Sequence, residues 1–474
     1  MTDASLPLAE PGSFRDPAGR VIRFGNRIFR TVNDCAADDY EYAEASGFLR
    51  ELIGTGELVG SERVDSHGLG DAAAGARYVL EHEPLRFVSY PYEWSFAALK
   101  AAAVLHLHIQ LKALGHGITL SDASAFNVQF IGSRPVFIDT LSFRRYVEGE
   151  FWTGHRQFCE QFLNPLLLTV LFGVPHQPWY RGSLNGIPAQ DLAALLPLRR
   201  KLSPKLLTHV VLPASLNRAG QRAGAKLDAG KIRQAKLPKE NYRRMLTGLR
   251  DWIAGFEPKR GTKTVWQDYA ETTSYDAAER DAKAAFIRRF VAETRPALLW
   301  DVGCNTGDYA VVALEAGAGY VVGFDADQGA LDRAFERARS ARLSFQPLYL
   351  DATNPSPSQG WAQSERHGFA DRARADAVIG LALIHHLAIG ANVPLRDVVR
   401  WLVGLAPCGV IEFVPKSDPM VQRLLQLRKD IFPDYGEEPF LRFLEAEAEI
   451  VERATISASG RCLVRFESRR HGGG

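Results

Sequence analysis

Apolar and polar positions follow two different rhythms along this chain. In the carboxyl-terminal half, short apolar runs alternate with amphipathic ones. Asp276 to Glu293 places Ala278, Ala282, Ala285, Phe286 and Phe290 on one face at helical spacing. Ala297 to Val302 predicts a strand, Tyr309 to Ala316 a helix, Tyr320 to Phe324 a strand and Gln328 to Ala338 a helix. Further strands are predicted over Ser344 to Leu350, Ala375 to Leu381 and Gly409 to Val414. Strands separated by helices imply right-handed crossovers and a mostly parallel, doubly wound α/β sheet. The end of the chain reads differently: Glu449 to Ser457 and Arg461 to Ser468, joined through Ser459-Gly460, predict an antiparallel hairpin.

The amino-terminal half predicts an α+β module. Val21 to Val32 reads as a hairpin around Gly25-Asn26, Asp38 to Ile53 as a helix, Arg77 to Glu81 and Phe87 to Tyr90 as strands, and Trp94 to Leu114 as a long helix. The aromatic-rich run Glu150 to Gly182 reads as helical core or a docking face.

Charge changes this picture in one place. Over the 474 residues Lys plus Arg is 57 and Asp plus Glu 55, a net charge of +2 that excludes a uniformly cationic nucleic-acid coat. Yet Arg199 to Lys263 holds seventeen basic against four acidic residues. The stretch reads as a partly helical connector, with Asn241 to Phe256 at helical spacing, and leaves open a docking surface for an anionic partner. The expected organisation is therefore 1–195, an α+β domain that selects the acceptor; 196–263, a basic connector; and 264–474, the doubly wound domain. The five scattered cysteines show no CxxC and no histidine at ligand spacing, which argues against disulfides and a zinc site, so no metal is expected. The polar amino terminus lacks a secretory pattern, and the longest apolar run, Phe162 to Val174, is broken by Asn164 and Pro165 and falls short of the ~20 residues a span needs. The expectation is a cytoplasmic protein with no membrane partner.

The chemistry concentrates where the first strand of the doubly wound domain ends, at Asp301-Val302-Gly303-Cys304-Asn305-Thr306-Gly307-Asp308. Ligands in open α/β sheets bind at the carboxyl ends of strands, and Gly303 and Gly307 permit a tight turn and a close backbone approach. Asp325 ends the second strand, where a carboxylate can accept ribose hydroxyls, and Asp351 ends the third, where one can take an adenine amino group. The turn is not the dinucleotide GxGxxG, since Asn305 stands at the middle glycine. It resembles the first motif of class I S-adenosylmethionine-dependent methyltransferases, a DxGxGxG core whose outer glycines are matched by Gly303 and Gly307. The resemblance implies a Rossmann-like fold, S-adenosylmethionine as cofactor, and Asp301, Gly303, Asn305, Gly307, Asp325 and Asp351 as the residues that hold it. No (N/D)PP(Y/F) sequence follows the fourth strand, which argues against adenine or glutamine amides as acceptors. Ile384-His385-His386-Leu387 stands there instead, with His385 and His386 as base candidates or as groups that cap and shape the pocket. Glu412, toward the end of the fifth strand, and Lys416, just beyond it, are candidate acceptor contacts or an ordinary ion pair. Tyr269, Ser274 and Tyr275 are candidates to close over the methionine end.

In the first half, Asp122, Asn127 and Asp139 resemble the catalytic and metal-binding segment of protein-kinase-like phosphotransferases, which implies magnesium and a nucleotide. A glycine-rich loop and a Val-Ala-Ile-Lys strand are missing, and Arg30 is the candidate substitute for the lysine. The plain alternative is that Asp122 and Asn127 cap turns. The whole layout resembles a family of bacterial two-part, nodulation-protein-like methyltransferases, on Ser89 to Trp94, Asn127 to Phe130, Gln161 to Leu167, Asp301 to Gly307 and Glu412 to Lys416. The expected activity is methyl transfer to an O or N of a small-molecule acceptor. The rival readings are a bifunctional phosphotransferase and an RNA methyltransferase whose basic segment grips phosphates.

Overall fold

A computed structural model describes residues 6–66, 68–216, 236–259, 277–372, 374–426 and 429–469. The chain divides into two compact units, one of residues 1–130, 135–262 and 358–367, the other of 131–134, 263–357 and 368–474.

The first unit carries a five-stranded antiparallel sheet of β1 (Leu8–Ala9), β2 (Val21–Phe24), β3 (Arg27–Val32), β4 (Ser61–Val64) and β5 (Tyr78–His82), in the order β1-β2-β3-β5-β4. The predicted single helix over Asp38 to Ile53 is two helices, Asp34–Ala45 and Phe48–Gly54, because Gly47 turns left-handed at φ 78° between them. Ser95 caps the long helix Phe96–Gly115 by accepting the Ala98 N–H. Phe87 to Tyr90 does not form the expected strand. Its backbone is matched by a side chain instead: the Gln129 amide accepts the Ser89 N–H at 2.9 Å and donates to the Ser89 carbonyl at 2.8 Å. Four short strands follow, β6 (Ile118–Leu120), β7 (Val128–Ile131), β8 (Arg134–Phe137) and β9 (Phe143–Arg145), paired β6 with β9 and β7 with β8.

Parts of two segments in the middle of the chain form core, while residues 217–235 and 260–263 of the basic stretch lie outside the described residues. Phe158, Phe162, Leu163, Leu166, Leu167 and Leu168 of the aromatic-rich run are buried. The described part of the basic stretch includes the helix Lys239–Ala254, which packs on Phe96–Gly115 through buried Tyr242, Leu246, Leu249 and Ile253. Gln110 donates to the Tyr242 hydroxyl at 2.9 Å across that contact. A basic composition here covers an amphipathic helix whose apolar stripe belongs to the first unit.

The second unit is a seven-stranded sheet of β10 (Leu299–Val302), β11 (Val321–Asp325), β12 (Phe345–Tyr349), β13 (Ala377–Gly380), β14 (Cys408–Phe413), β15 (Ala448–Thr455) and β16 (Cys462–Ser468). The order is β12-β11-β10-β13-β14-β16-β15, parallel from β12 to β14, with β16 antiparallel to both β14 and β15. This is the expected mostly parallel, Rossmann-like sheet with a terminal antiparallel hairpin. Strand order reverses beside β10, so its carboxyl end, with those of β11 and β13, forms the switch point where such sheets take ligands. The helix Ala277–Thr294 packs by Lys283, Phe286, Ile287, Phe290 and Val291, and not by Ala278, Ala282 and Ala285, which are exposed. The larger side chains take the interior and rotate the buried stripe by about one position.

Candidate functional site

The turn after β10 is built by three left-handed residues. Gly303, Asn305 and Gly307 have φ of 87°, 49° and 80°. At Gly307 a Cβ would stand 2.4 Å from the Phe345 ring, so both the conformation and the space demand glycine. Asparagine is among the few side chains that adopt this region readily, which explains how Asn305 replaces the middle glycine. The Gly303 and Cys304 N–H groups donate to the Phe324 carbonyl at 2.8 and 3.0 Å, tying the turn to the end of β11.

Asp325 fixes the same turn. Its Oδ2 accepts the Asn305 N–H and its Oδ1 the Asp327 N–H, both at 2.8 Å. An ionised carboxylate has about four acceptor positions, so these backbone bonds leave room for a further donor. Burial pushes its pKa up, against the pull of those backbone bonds.

Asp301 differs. It is 2 % exposed, and its Oδ2 has no hydrogen-bond partner. Burial, and after it the charges of Asp325 and Asp308, push its carboxyl up to about 8. A buried, unsatisfied carboxylate oxygen is costly, and a cationic ligand group would relieve it. Asp351, half-buried beyond β12, accepts the Thr353 N–H at 2.9 Å and hydroxyl at 2.6 Å through Oδ1.

The loop after β13 adjoins the turn: a Cβ on Gly303 would lie 3.5 Å from the Leu381 carbonyl oxygen and 3.6 Å from Leu383. Ala382 in this loop is left-handed at φ 48°, a strained conformation for alanine. Its N–H donates to Glu412 Oε2 at 2.8 Å. That oxygen also receives Lys283 Nζ at 2.7 Å, in a pair with side-chain exposures of 0 % and 2 %. Arg461 approaches Glu412 Oε1 at 3.4 Å and forks onto Asp418 at 2.7 and 3.0 Å. Glu412 is therefore interior, holding the loop and two cations. Lys416 belongs to a separate, more exposed pair with Asp430 at 2.8 Å and donates to the Phe432 carbonyl at 2.7 Å.

The His385 and His386 rings are in contact, their centres 3.9 Å apart and their planes tilted by 41°. Burial lowers the His385 pKa, helped by His386, Arg461 and Lys283, and neither of its ring nitrogens has a hydrogen-bond partner. Burial and then Arg461 bring His386 down to about 4. Both rings are neutral at pH 7. Tyr269, Ser274 and Tyr275 lie outside the described residues.

The structure thus gathers Asp301, Gly303, Asn305, Gly307 and Asp325 in one place, and His385, His386 and Glu412 in an adjoining one. Sequence reasoning missed Lys283, Arg461 and Asp418. The available signal for Lys283 was a lysine three and four residues ahead of Phe286 and Ile287, inside the apolar stripe. Arg461 and Asp418 left no comparable mark.

In the first unit, Asp122, Asn127 and Asp139 also meet. Asn127 Nδ2 is 3.1 Å from Asp122 Oδ1 and 3.4 Å from Asp139 Oδ2, while Ser142 Oγ lies 3.1 Å and 2.6 Å from the same oxygens. Arg30 pairs with Asp16 and stands 3.6 Å from Asp139. Burial, and then the Asp139 charge, push Asp122 up to about 6.

No protein-family model matches the chain. Among solved structures it is similar to the PH0226 protein from Pyrococcus horikoshii OT3, 16% identical over 44% of this chain and 100% of that one with a TM-score of 0.31. It is also similar to N-methyltransferase NodS from Bradyrhizobium japonicum WM9, 16% identical over 41% of this chain and 98% of that one with a TM-score of 0.30. The nodulation protein NoeA of Rhizobium meliloti (strain 1021) is 48% identical over 475 residues, which cover 98% of this chain and 99% of that protein. With more than two thirds of both lengths aligned at that identity, the chain belongs to the NoeA family.

Proposed function

We propose that the chain is an S-adenosylmethionine-dependent methyltransferase, with its cofactor site at the carboxyl ends of β10, β11 and β12 and an oxygen or nitrogen of a small molecule as acceptor. The observation that carries this reading is the unpartnered, buried Oδ2 of Asp301 beside a turn of three left-handed residues. A ligand with an ammonium group and a polar, hydroxyl-rich remainder suits that donor set. When bound, S-adenosylmethionine supplies a sulfonium-activated methyl group.

The chain's own residues divide the work. Asp301 receives the ammonium, and the backbone of Gly303, Asn305 and Gly307 lets the methionine portion approach closely. Asp325 accepts a ribose hydroxyl on a position its backbone bonds leave open, and Asp351 takes the adenine amino group. Glu412, held by Lys283 and Arg461, fixes the Ala382 peptide and so positions the loop carrying His385 and His386. Orientation of the acceptor supplies most of the rate. His385 is the base candidate, since it is neutral and its nitrogens are unpartnered.

Calorimetric titration with S-adenosylmethionine tests the reading. Saturable binding that Asp301→Asn weakens at least about tenfold, or about 1.4 kcal/mol, is the expected result, and wild-type protein that takes up no cofactor overturns it. Asp301→Asn is a cleaner probe than Asp325→Ala, because Asp325 also holds two backbone N–H groups. Once an acceptor is found, full turnover in both His385→Ala and His386→Ala would exclude the base role.

A second reading, phosphotransfer by the first unit, is favoured by the convergence of Asp122, Asn127 and Asp139, whose oxygens suit magnesium. It expects ATP and magnesium to bind and Asp139→Ala to abolish that binding.

A further inference from the structure

The helical run His155–Phe158, Cys159–Leu163 and Asn164–Phe172 in the first unit places His155 and Cys159 four residues apart, on one face. A second helical turn, Leu207–Val211, brings His209 to the same point. His155 Nε2 lies 3.0 Å from His209 Nδ1 and 3.6 Å from Cys159 Sγ, and the three ligand atoms all fall within 4.8 Å of one another. We propose that His155, Cys159 and His209 form a binding site for a zinc-like divalent cation, with three protein ligands and one coordination position left open.

The distances suit such an ion. Metal–nitrogen bonds of about 2.0–2.1 Å and a metal–sulfur bond of about 2.3 Å, at tetrahedral angles, set the nitrogens about 3.3 Å apart and each about 3.6 Å from the sulfur. The observed His155–His209 and His155–Cys159 distances of 3.0 and 3.6 Å lie close to these values, and Cys159 Sγ and the His209 ring nitrogen, within 4.8 Å of each other, complete the set. The donor set, two imidazoles and a thiolate, selects borderline and soft cations over magnesium or calcium. Cys159 and His209 are 3 % and 7 % exposed, while His155 is half-buried and gives the ion a way in. Both Cys159 and His209 also occur in π-helical turns, an uncommon backbone form frequent at functional sites. Trp152 and Trp252 rings lie 5.7 Å from His155 and 6.2 Å from His209.

The proton balance is defined. Only one proton can sit between His155 Nε2 and His209 Nδ1, and it moves to the far nitrogen of its own ring when the metal enters. The Cys159 thiol gives its proton to solvent, so about one proton is released per ion. The expectation of no histidine at ligand spacing does not hold, since His155 and Cys159 stand four residues apart on one helical run; His209, 54 and 50 residues further along the chain, joins them only through packing.

The test uses the full-length protein after removal of metals with a chelator. Cobalt(II) should produce a thiolate-to-cobalt charge-transfer band that saturates at one ion per chain, quench tryptophan emission, and be displaced by zinc. Cys159→Ser should abolish the band, His209→Gln should weaken binding at least about tenfold, and Cys35→Ser, at an exposed free thiol, should change neither. Far-ultraviolet dichroism verifies that each variant is folded; if Cys159→Ser is not, His155→Gln must lose the affinity instead. Absence of a saturable band in the wild type overturns the proposal, as does a band that survives in folded Cys159→Ser.

Discussion

Asp122, half-buried in the first unit, and Asp301, buried in the second, are both carboxyls raised above the ordinary carboxylate range, to about 6 and about 8. Their surroundings differ. Asp122 receives the Asn127 amide and lies near the Ser142 hydroxyl, and the same two groups reach Asp139. Asp301 leaves an oxygen without any partner. Buried polar groups are almost always satisfied in folded proteins. The first cluster is therefore closed on itself, whereas the second is completed only by protonation or by a cation from outside. The comparison separates an acid that the fold uses from one that the fold holds ready.

The largest expected effect is in the pH dependence of stability. Asp301 has a folded pKa near 8 against an ordinary 3.8. From about pH 4 to 8 the folded chain keeps a proton that the unfolded chain has lost. Stability then falls as pH rises through this window, and the contribution levels off above it. Four pKa units correspond to about 5 kcal/mol. Urea unfolding at pH 5 and pH 8 should show this slope in the wild type and its loss in Asp301→Asn. An equal slope in both proteins would mean that Asp301 is satisfied after all. Bound S-adenosylmethionine should reverse the preference, with its ammonium favouring the carboxylate, so binding at pH 7 should release a proton. Calorimetry in buffers of different ionisation enthalpy reads that proton directly.

Lys283 and Glu412 provide the paired counterpart within the second unit. Lys283→Met leaves Glu412 interior with only Arg461 at 3.4 Å and the Ala382 N–H, and breaking a buried pair costs about 3–5 kcal/mol. The loss should lie at the lower end, near 3 kcal/mol, because Arg461 remains. The double variant Lys283→Met, Glu412→Gln removes both charges and should recover most of it, measured by urea unfolding. No recovery would show that Glu412 works by holding the Ala382 peptide more than by its charge.

How much of this was legible follows from the range of each interaction. Each strand expected in the second half forms within a few residues of its expected bounds, because periodicity is local. The Gly303 to Gly307 turn is legible for the same reason: its backbone demands are written in consecutive residues. The glycine break at Gly47 and the Gln129 bridge to Ser89 escaped. One depends on a left-handed φ, and the other on a side chain forty residues away from the backbone it satisfies. The strand-end position of Glu412 makes it a candidate acceptor contact, yet its charged partners lie 129 and 49 residues away and hold it in the interior. His155, Cys159 and His209 escaped similarly, as a set assembled by packing.

The smallest expected effect probes the closed cluster. Asn127→Ala removes the amide that bridges Asp122 and Asp139, leaving Ser142 with one proton between two carboxyls. A lost hydrogen bond to a charged group costs about 1–3 kcal/mol, and the part-buried setting favours the lower half. The amide favours the ionised form of Asp122, so its removal should also move that carboxyl further above 6. Carboxyl carbon shifts followed against pH in the wild type and variant measure both the direction and the site. A stability loss with no effect of ATP and magnesium on either protein would make the cluster a structural closure of the first unit. Unchanged stability, together with magnesium-dependent ATP binding lost in Asn127→Ala, would mean that Asn127 and the two carboxylates exchange their mutual bonds for a cation. In that case both units hold an acid ready for a ligand, and the contrast between Asp122 and Asp301 becomes one of degree.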